Sequence, residues 1–172
     1  VVKIINHRNI LVKHNDHYGH TTTCQLVQLN NGDIKNPYHP SVENIGYLGV
    51  GPYVRSINRS HTLCYVVWKN MINRCYNKSN WIKQPAYVDV TVDVEWHNFQ
   101  NFAHWYCNHP DYNKGYQLDK DILYPGNRIY SQHTCVMVPS VINNLFSDNN
   151  LSISVRLKGG AYESRFGTLY LG

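Results

Sequence analysis

Nowhere does this sequence carry an uninterrupted apolar run approaching the roughly 18 to 20 residues that a bilayer-crossing helix requires, so no helical membrane span is expected and the protein should be soluble. Its start, Val1-Val2-Lys3, has no initiator methionine and no charged-then-apolar leader, so a secretory signal is not expected either. No two cysteines have C-x-x-C spacing. The five present, Cys24, Cys64, Cys75, Cys107 and Cys135, are odd in number and cannot all pair within one chain; they are expected as reduced, mostly buried thiols of a reducing cytoplasm. Phenylalanine is scarce, with four residues against 14 tyrosines, which leaves core filling largely to tyrosine and supplies amphipathic rings suited to bases or sugars. Strong charge is lacking as well: a net +5 favours polyanions but is far from a histone-like balance. There is no long-period repeat and no low-complexity tract, which excludes solenoids and collagen-like chains.

What is present is a chain of 172 residues, enough for one ordinary domain or for two or three mini-modules of about 50 residues each. Two β-rich runs, Val2 to Val12 and Thr21 to Leu29, flank a turn-prone stretch, and Asn30-Asn31-Gly32-Asp33 closes the second; residues 1–36 are read as a small β module. The Pro- and Gly-rich stretch that follows predicts a linker over 37–60. After Ser60, a candidate N-cap, apolar Cys64, Val67, Trp68, Met71, Ile72 and Cys75 recur at helical spacing and predict a helix from about His61 to Tyr76, with Lys69, Asn70, Asn73 and Arg74 on its other face. Val88, Val90, Val92 and Val94 alternate with polar residues as in a strand with one buried face. A second helix is expected from about Glu95 to Asn108, with Trp96, Phe99, Phe102, Ala103 and Tyr106 inward. Beyond it the pattern reads strand (Tyr116 to Leu123), turn (Pro125-Gly126-Asn127), strand (Thr134 to Val138) and short helix (Ser140 to Phe146). The tail, residues 151–172, carries β-like runs Ile153 to Leu157, Tyr162 to Phe166 and Thr168 to Leu171, a three-stranded antiparallel sheet.

Within this pattern stand W-x-x-M-x-x-R-C-Y (Trp68 to Tyr76) and Y-x-x-x-T-V-x-x-E-W-x-x-F-x-x-F (Tyr87 to Phe102). L-D-K-D-I (Leu118 to Ile122) and Y-S-x-x-T-C-x-x-V-P (Tyr130 to Pro139) follow. Together these resemble the phage HNH homing-endonuclease-like family, over about Leu63 to Asn144. The tail V-R-L-K-G-G-A-Y-E-S-R-F-G-T-L-Y-L-G is similar to the sheet of the Apetala-type DNA-binding domain, and stops where that domain's helix would be expected. The resemblance implies an α+β chain with the β module, two helices, a ββα-metal finger over the end of 61–147, and the C-terminal sheet.

It also implies a chemistry. In an HNH site a cation such as Mg²⁺ is held against the scissile phosphate by a carboxylate or His at the first strand and an Asn or His on the helix, while a neighbouring His takes a proton from the attacking water. Carried over, Asp119 falls at the first metal-ligand position, Lys120 at the base position, and Asn143 or Asn144 on the helix; Thr134 stands where an Asn is usual. Lys120 is the departure, because a lysine ammonium cannot accept a proton unless burial depresses its pKa strongly. Asp121 is the nearby alternative base, and His133 could approach across the hairpin. Against this stands a bland reading, in which Asp119 and Lys120 form a surface ion pair and the asparagines cap a helix. His17 and His20, spaced i and i+3 in a polar loop, are read as solvated rather than metal-binding.

For DNA contact, Arg55, Arg59, Lys69, Arg74, Lys78 and Lys83 flank the first helix, and Arg128, Arg156, Lys158 and Arg165 decorate the hairpin and tail. Arg74 and Arg128 join the expected contacts, and Arg156, Lys158, Tyr162 and Arg165 are the candidates for base contacts. The leading expectation is duplex-DNA binding in the cytoplasm of a bacterial host, with Mg²⁺-dependent phosphodiester cleavage open. Two rivals stand beside it: a catalytically inactive DNA-binding or regulatory protein, and a phage structural or interaction protein with a phage or host partner, associated with the virion. No membrane or small-molecule cofactor is expected.

Overall fold

A computed structural model describes residues 1–147, 156–158, 161–166 and 169–171, with side chains described through Leu145. The chain is mixed α+β, with several small sheets and five helices among the described residues. It divides into two compact units, Val1–His109 with Arg128–Ser131, and Pro110–Asn127 with Gln132–Gly172. The expected contiguous module over 61–147 is therefore shared between them.

The first unit opens with an antiparallel sheet of β1 (Lys3–Asn6), β2 (Asn9–Lys13) and β3 (Thr21–Cys24), in that order. The β-rich run from Val2 to Val12 turns back on itself as two strands, since Asn6 Oδ1 accepts the Arg8 N–H at 2.9 Å and Ile4 lies opposite Ile10. The run from Thr21 stops being strand at Cys24. Residues Leu26–Asn31 form helix α1, whose entry is held by the Gln25 N–H on Gln28 Oε1 at 2.9 Å. Gly32, at φ 72°, closes that helix instead of a hairpin.

The segment expected as a linker is part of the packed unit. Val42 and Gly46 are buried, and Ser41 and Val42 both donate to the Gly46 carbonyl. Tyr47 is stitched by backbone to His97 and Phe99, each at 2.9 Å. Gln100 grips the stretch from below: its Nε2 donates to the carbonyls of Leu48 and Tyr53, and its Oε1 accepts from the Tyr53 N–H. Loop-like composition here marks backbone that is tied down by side chains rather than by a ladder. The same stretch ends in a short hairpin, β4 (Ser56–Ile57) with β5 (Ser60–His61).

Helix α2 (Leu63–Tyr76) follows, two residues inside the expected start, with Thr62 rather than Ser60 at its N-cap. Its stripe is buried as expected at Cys64, Trp68, Met71, Ile72 and Cys75; Tyr65 is buried too, and Val67 only half-buried. A single turn, α3 (Lys78–Trp81), precedes β6 (Thr91–Val92). The four-valine strand is thus short. Val90 and Val92 are buried, but Asp93 Oδ1 accepts the Glu95 N–H at 2.9 Å and turns the chain into a 3₁₀ segment, leaving Val94 in solvent. β6 pairs in parallel with β8 (Ile129–Tyr130). Helix α4 (Phe99–Asn108), capped by Asn98, buries Phe99, Phe102, Ala103 and Tyr106. The core sits between α2 and α4: Trp68 lies 5.4 Å from Phe99 between ring centroids, and its indole N–H donates to the Trp96 carbonyl at 2.7 Å.

In the second unit β7 (Gln117–Asp119) pairs antiparallel with β9 (Val136–Val138), Leu118 facing Met137 with both buried. Helix α5 (Ser140–Ser147) follows directly after Pro139. β7 ends earlier than the expected Leu123 because Asp119 starts a turn. In the tail β10 (Arg156–Lys158), β11 (Ala161–Phe166) and β12 (Leu169–Leu171) pair antiparallel in sequence order. The expected breaks at Ser147 to Asn150, Gly159-Gly160 and Gly167 fall largely outside the described residues. Of the five cysteines, four are buried and Cys107 is half-buried. Among the described residues no helix is long and apolar enough to cross a membrane.

Candidate nucleic-acid interface

Asp119 ends β7 opposite Val136, and its Oδ1 accepts two backbone N–H groups, from Asp121 at 2.7 Å and Ile122 at 2.8 Å. A short carboxylate that answers the next two or three amides fixes a tight turn, which is why the strand stops here. Lys120 is drawn inward by that turn to 7% exposure, and its Nζ meets Asp121 Oδ2 at 2.5 Å. Burial of an ammonium is tolerable only with such a partner. The turn is braced from the other side by Asn127, whose amide donates to the Lys120 carbonyl at 2.9 Å. The surface ion pair anticipated between Asp119 and Lys120 is replaced by one between the buried Lys120 and the more exposed Asp121.

Helix α5 brings Asn143 back to β7, its amide donating to Gln117 Oε1 at 2.7 Å, while Asn144 is exposed. Thr134 is half-buried ahead of β9, and His133 is exposed with its Nε2 3.1 Å from Gln132 Nε2. Strand, strand and helix thus carry Asp119, Lys120, Asp121 and Asn143 within one unit.

One oxygen of Asp119 is spent on the turn, the next residue puts a positive charge inside the module, and Asp121 is engaged by that charge. Among the described residues no three His, Cys, Asp or Glu side chains gather in a way that could hold a metal ion.

Arg74 was expected on the solvent face of its helix. It is instead half-buried, with its guanidinium carbon 5.5 Å from the Tyr87 ring centroid and 5.7 Å from that of Tyr130, and one nitrogen 3.3 Å from the Tyr87 hydroxyl. Burial works against its charge, but the two tyrosines outweigh it and the guanidinium is held more firmly protonated than usual. The Tyr130 hydroxyl is pushed well above its ordinary range, chiefly by burial. Arg128 is exposed, and donates to the Val88 carbonyl at 2.9 Å. Arg156 and Lys158 lie on β10 and Tyr162 and Arg165 on β11; their side chains are outside the described residues. Sequence reasoning missed Gln100, a polar residue on the buried face of α4, and the tyrosine pair around Arg74. The first had a legible signal, a lone amide amid aromatics at helical spacing; the second joins residues far apart in sequence and had none.

Comparison of the chain with protein-family models, curated proteins and solved structures returns no match.

Proposed function

We propose that this protein binds duplex DNA without cutting it, as a phage HNH-like module whose site is occupied by a structural lysine. The observation that carries this reading is Lys120, nearly buried and ion-paired with Asp121 at the position where the resembled family keeps its base. The order β7, β9, α5, with Asp119 at a strand end and Asn143 on the helix, supports the likeness to a ββα finger. A cationic side chain there cannot activate water. The C-terminal strands supply Arg156, Lys158 and Arg165 to the same reading as an Apetala-like sheet, in the cytoplasm of a bacterial host.

Two measurements test it. Binding to labelled duplex should weaken steeply with salt, with a log–log slope of about −0.9 per phosphate contacted. Supercoiled plasmid should stay intact with Mg²⁺; nicking that Asp119→Ala abolishes would restore the nuclease reading, and salt-insensitive or absent binding would remove the DNA reading. A second reading, a protein-interaction role, is favoured by one observation: Val1, Val2, Ile4 and Ile5 on and beside edge strand β1 are all more than half exposed.

A further inference from the structure

The positive charge of this chain is concentrated. Between Glu43 and Asp89 there is no acidic residue, while Arg55, Arg59, Lys69, Arg74, Lys78 and Lys83 all fall inside that interval. Six of the 16 lysines and arginines and none of the 11 acidic residues lie there, so this interval carries +6 and the rest of the chain −1, for the net charge of +5. With Arg74 held between two tyrosines, the exposed charge falls to Arg55 and Arg59 at the hairpin β4–β5, Lys69 midway along α2, and Lys78 and Lys83 beyond it.

That hairpin is built to present its tip. Ser56 pairs with His61 and Ile57 with Ser60, leaving Asn58 and Arg59 as a two-residue turn with φ of 49° and 66°. Both positions of such a turn need the left-handed region, which Asn tolerates and which Gly takes most readily at the second position. Arginine there is the harder choice for the backbone. The base of the hairpin is anchored: Thr62 Oγ1 donates to the Val54 carbonyl at 2.9 Å, its N–H to the Arg55 carbonyl at 3.1 Å, and Ser56 Oγ meets His61 Nδ1 at 2.8 Å. The His61 ring lies 5.0 Å from buried Tyr65, which packs on Trp68 and Phe99, so the ribbon is tied to the core between α2 and α4. Arg55, Ile57, Asn58, Arg59 and Lys69 are exposed, and among the described residues neither arginine nor Lys69 pairs with a carboxylate.

We infer that the β4–β5 hairpin enters the major groove of duplex DNA, with Arg59 reaching a guanine edge and Arg55 and Lys69 on flanking phosphates. This rests on the duplex-binding reading and adds its principal contact. A two-stranded ribbon fits the width of that groove, and a guanidinium fork matches the paired acceptors of guanine. Exposed cations without a carboxylate partner favour a polyanion over an acidic patch on a folded protein, where both signs are interspersed. A single strand would call for exposed rings to stack its bases; the only ring on the hairpin is that of His61, already set against Tyr65. Ile57 at the ribbon's side, 59% exposed, offers the apolar contact a thymine methyl takes.

The test uses the full chain. A duplex is first selected from a mixed-sequence pool by the wild-type protein, and its affinity is compared with that of an unselected duplex across a salt series. Arg59→Gly removes the guanidinium while easing the turn, so it should keep the wild-type melting temperature, bind the selected duplex about 10-fold more weakly and leave the unselected one nearly unchanged. Arg59→Lys should lose the same preference while keeping general affinity, since an ammonium lacks the fork. Arg55→Gln should weaken both duplexes and lower the salt slope by about 0.9. Wild-type behaviour of Arg59→Gly and Arg55→Gln, alongside loss in Arg156→Gln/Arg165→Gln, would overturn the hairpin assignment alone. Tighter binding to single strands than to duplex would overturn it as well. Absence of any salt-sensitive duplex binding by the wild-type protein would remove the duplex-binding reading and the hairpin with it.

Discussion

An indole in a dry core brings one N–H that must find an acceptor, and Trp68 finds the carbonyl of Trp96 while its ring closes on Phe99. Two variants separate those roles. Trp68→Ala should cost about 3 to 5 kcal/mol, enough to unfold a domain of ordinary stability, by leaving a cavity where exposure is now zero. Trp68→Phe keeps most of the contact area and leaves the Trp96 carbonyl unanswered, for about 1 to 3 kcal/mol. Both are read by denaturant melts, and a Trp68→Ala protein with an unchanged midpoint would show that the stripe of α2 faces something other than the core. His97 offers a pH-dependent counterpart. Its Nε2 lies 3.0 Å from the Val92 carbonyl, and burial holds its pKa below the usual histidine value despite that bond. A folded pKa below the unfolded value of about 6.5 means the unfolded chain takes the proton more readily, so stability falls as pH drops through about 6.5 toward the folded value. His97→Gln should flatten that part of the melting-temperature profile between neutral and mildly acidic pH; an unaltered slope would place the loss at other groups.

At the scale of elements, the close approach of Gly46 to α2 explains why the stretch after Asn36 cannot be a tether. A Cβ at Gly46 would stand 2.7 Å from Trp68 Cζ2, and the backbone there is not left-handed, so Gly46→Ala tests crowding alone. It should cost about 1 to 3 kcal/mol in a thermal melt. A neutral result would mean the segment lifts away freely. The contrast with α2 and α4 shows what was legible beforehand. Their stripes at Trp68, Met71, Ile72 and Phe99, Phe102, Tyr106 follow from periodicity, which local sequence carries in full. The strands at Leu118 and Met137 and the helix after Pro139 were legible in outline from turn and cap signals, though not that β8 between them pairs elsewhere. What was not legible depended on partners remote in sequence: Gln100 gripping Leu48 and Tyr53, or Tyr130 closing over Arg74. The helix α1 was hidden differently, because Leu26 and Val27 are exposed and left no one-sided pattern to read. Lys120 pairs with Asp121 rather than Asp119, since nothing in the order Asp-Lys-Asp says which carboxylate the turn will consume.

Across the whole molecule the path of the chain interleaves the two units, for β8 belongs to the first while its sequence neighbours β7 and β9 belong to the second. A protein cut after His109 keeps α2, α4 and β6 but loses Ile129 and Tyr130. That fragment should melt well below the full chain, or without a cooperative transition, because Thr91 and Asp93 lose acceptors at Arg128 and Tyr130 and Val92 loses its cover. A fragment as stable as the intact protein would show β8 to be dispensable. The same path bears on how such a protein can be inherited. Recombination trades contiguous stretches of gene, and no single crossover point in this chain parts the two units with both left intact. A strand–strand–helix module grafted elsewhere would carry Tyr130 away from Arg74, and the donor would be left with a guanidinium missing one of its two rings. Lineages built on this arrangement are therefore expected to pass the stretch from α2 through β9 on as a block.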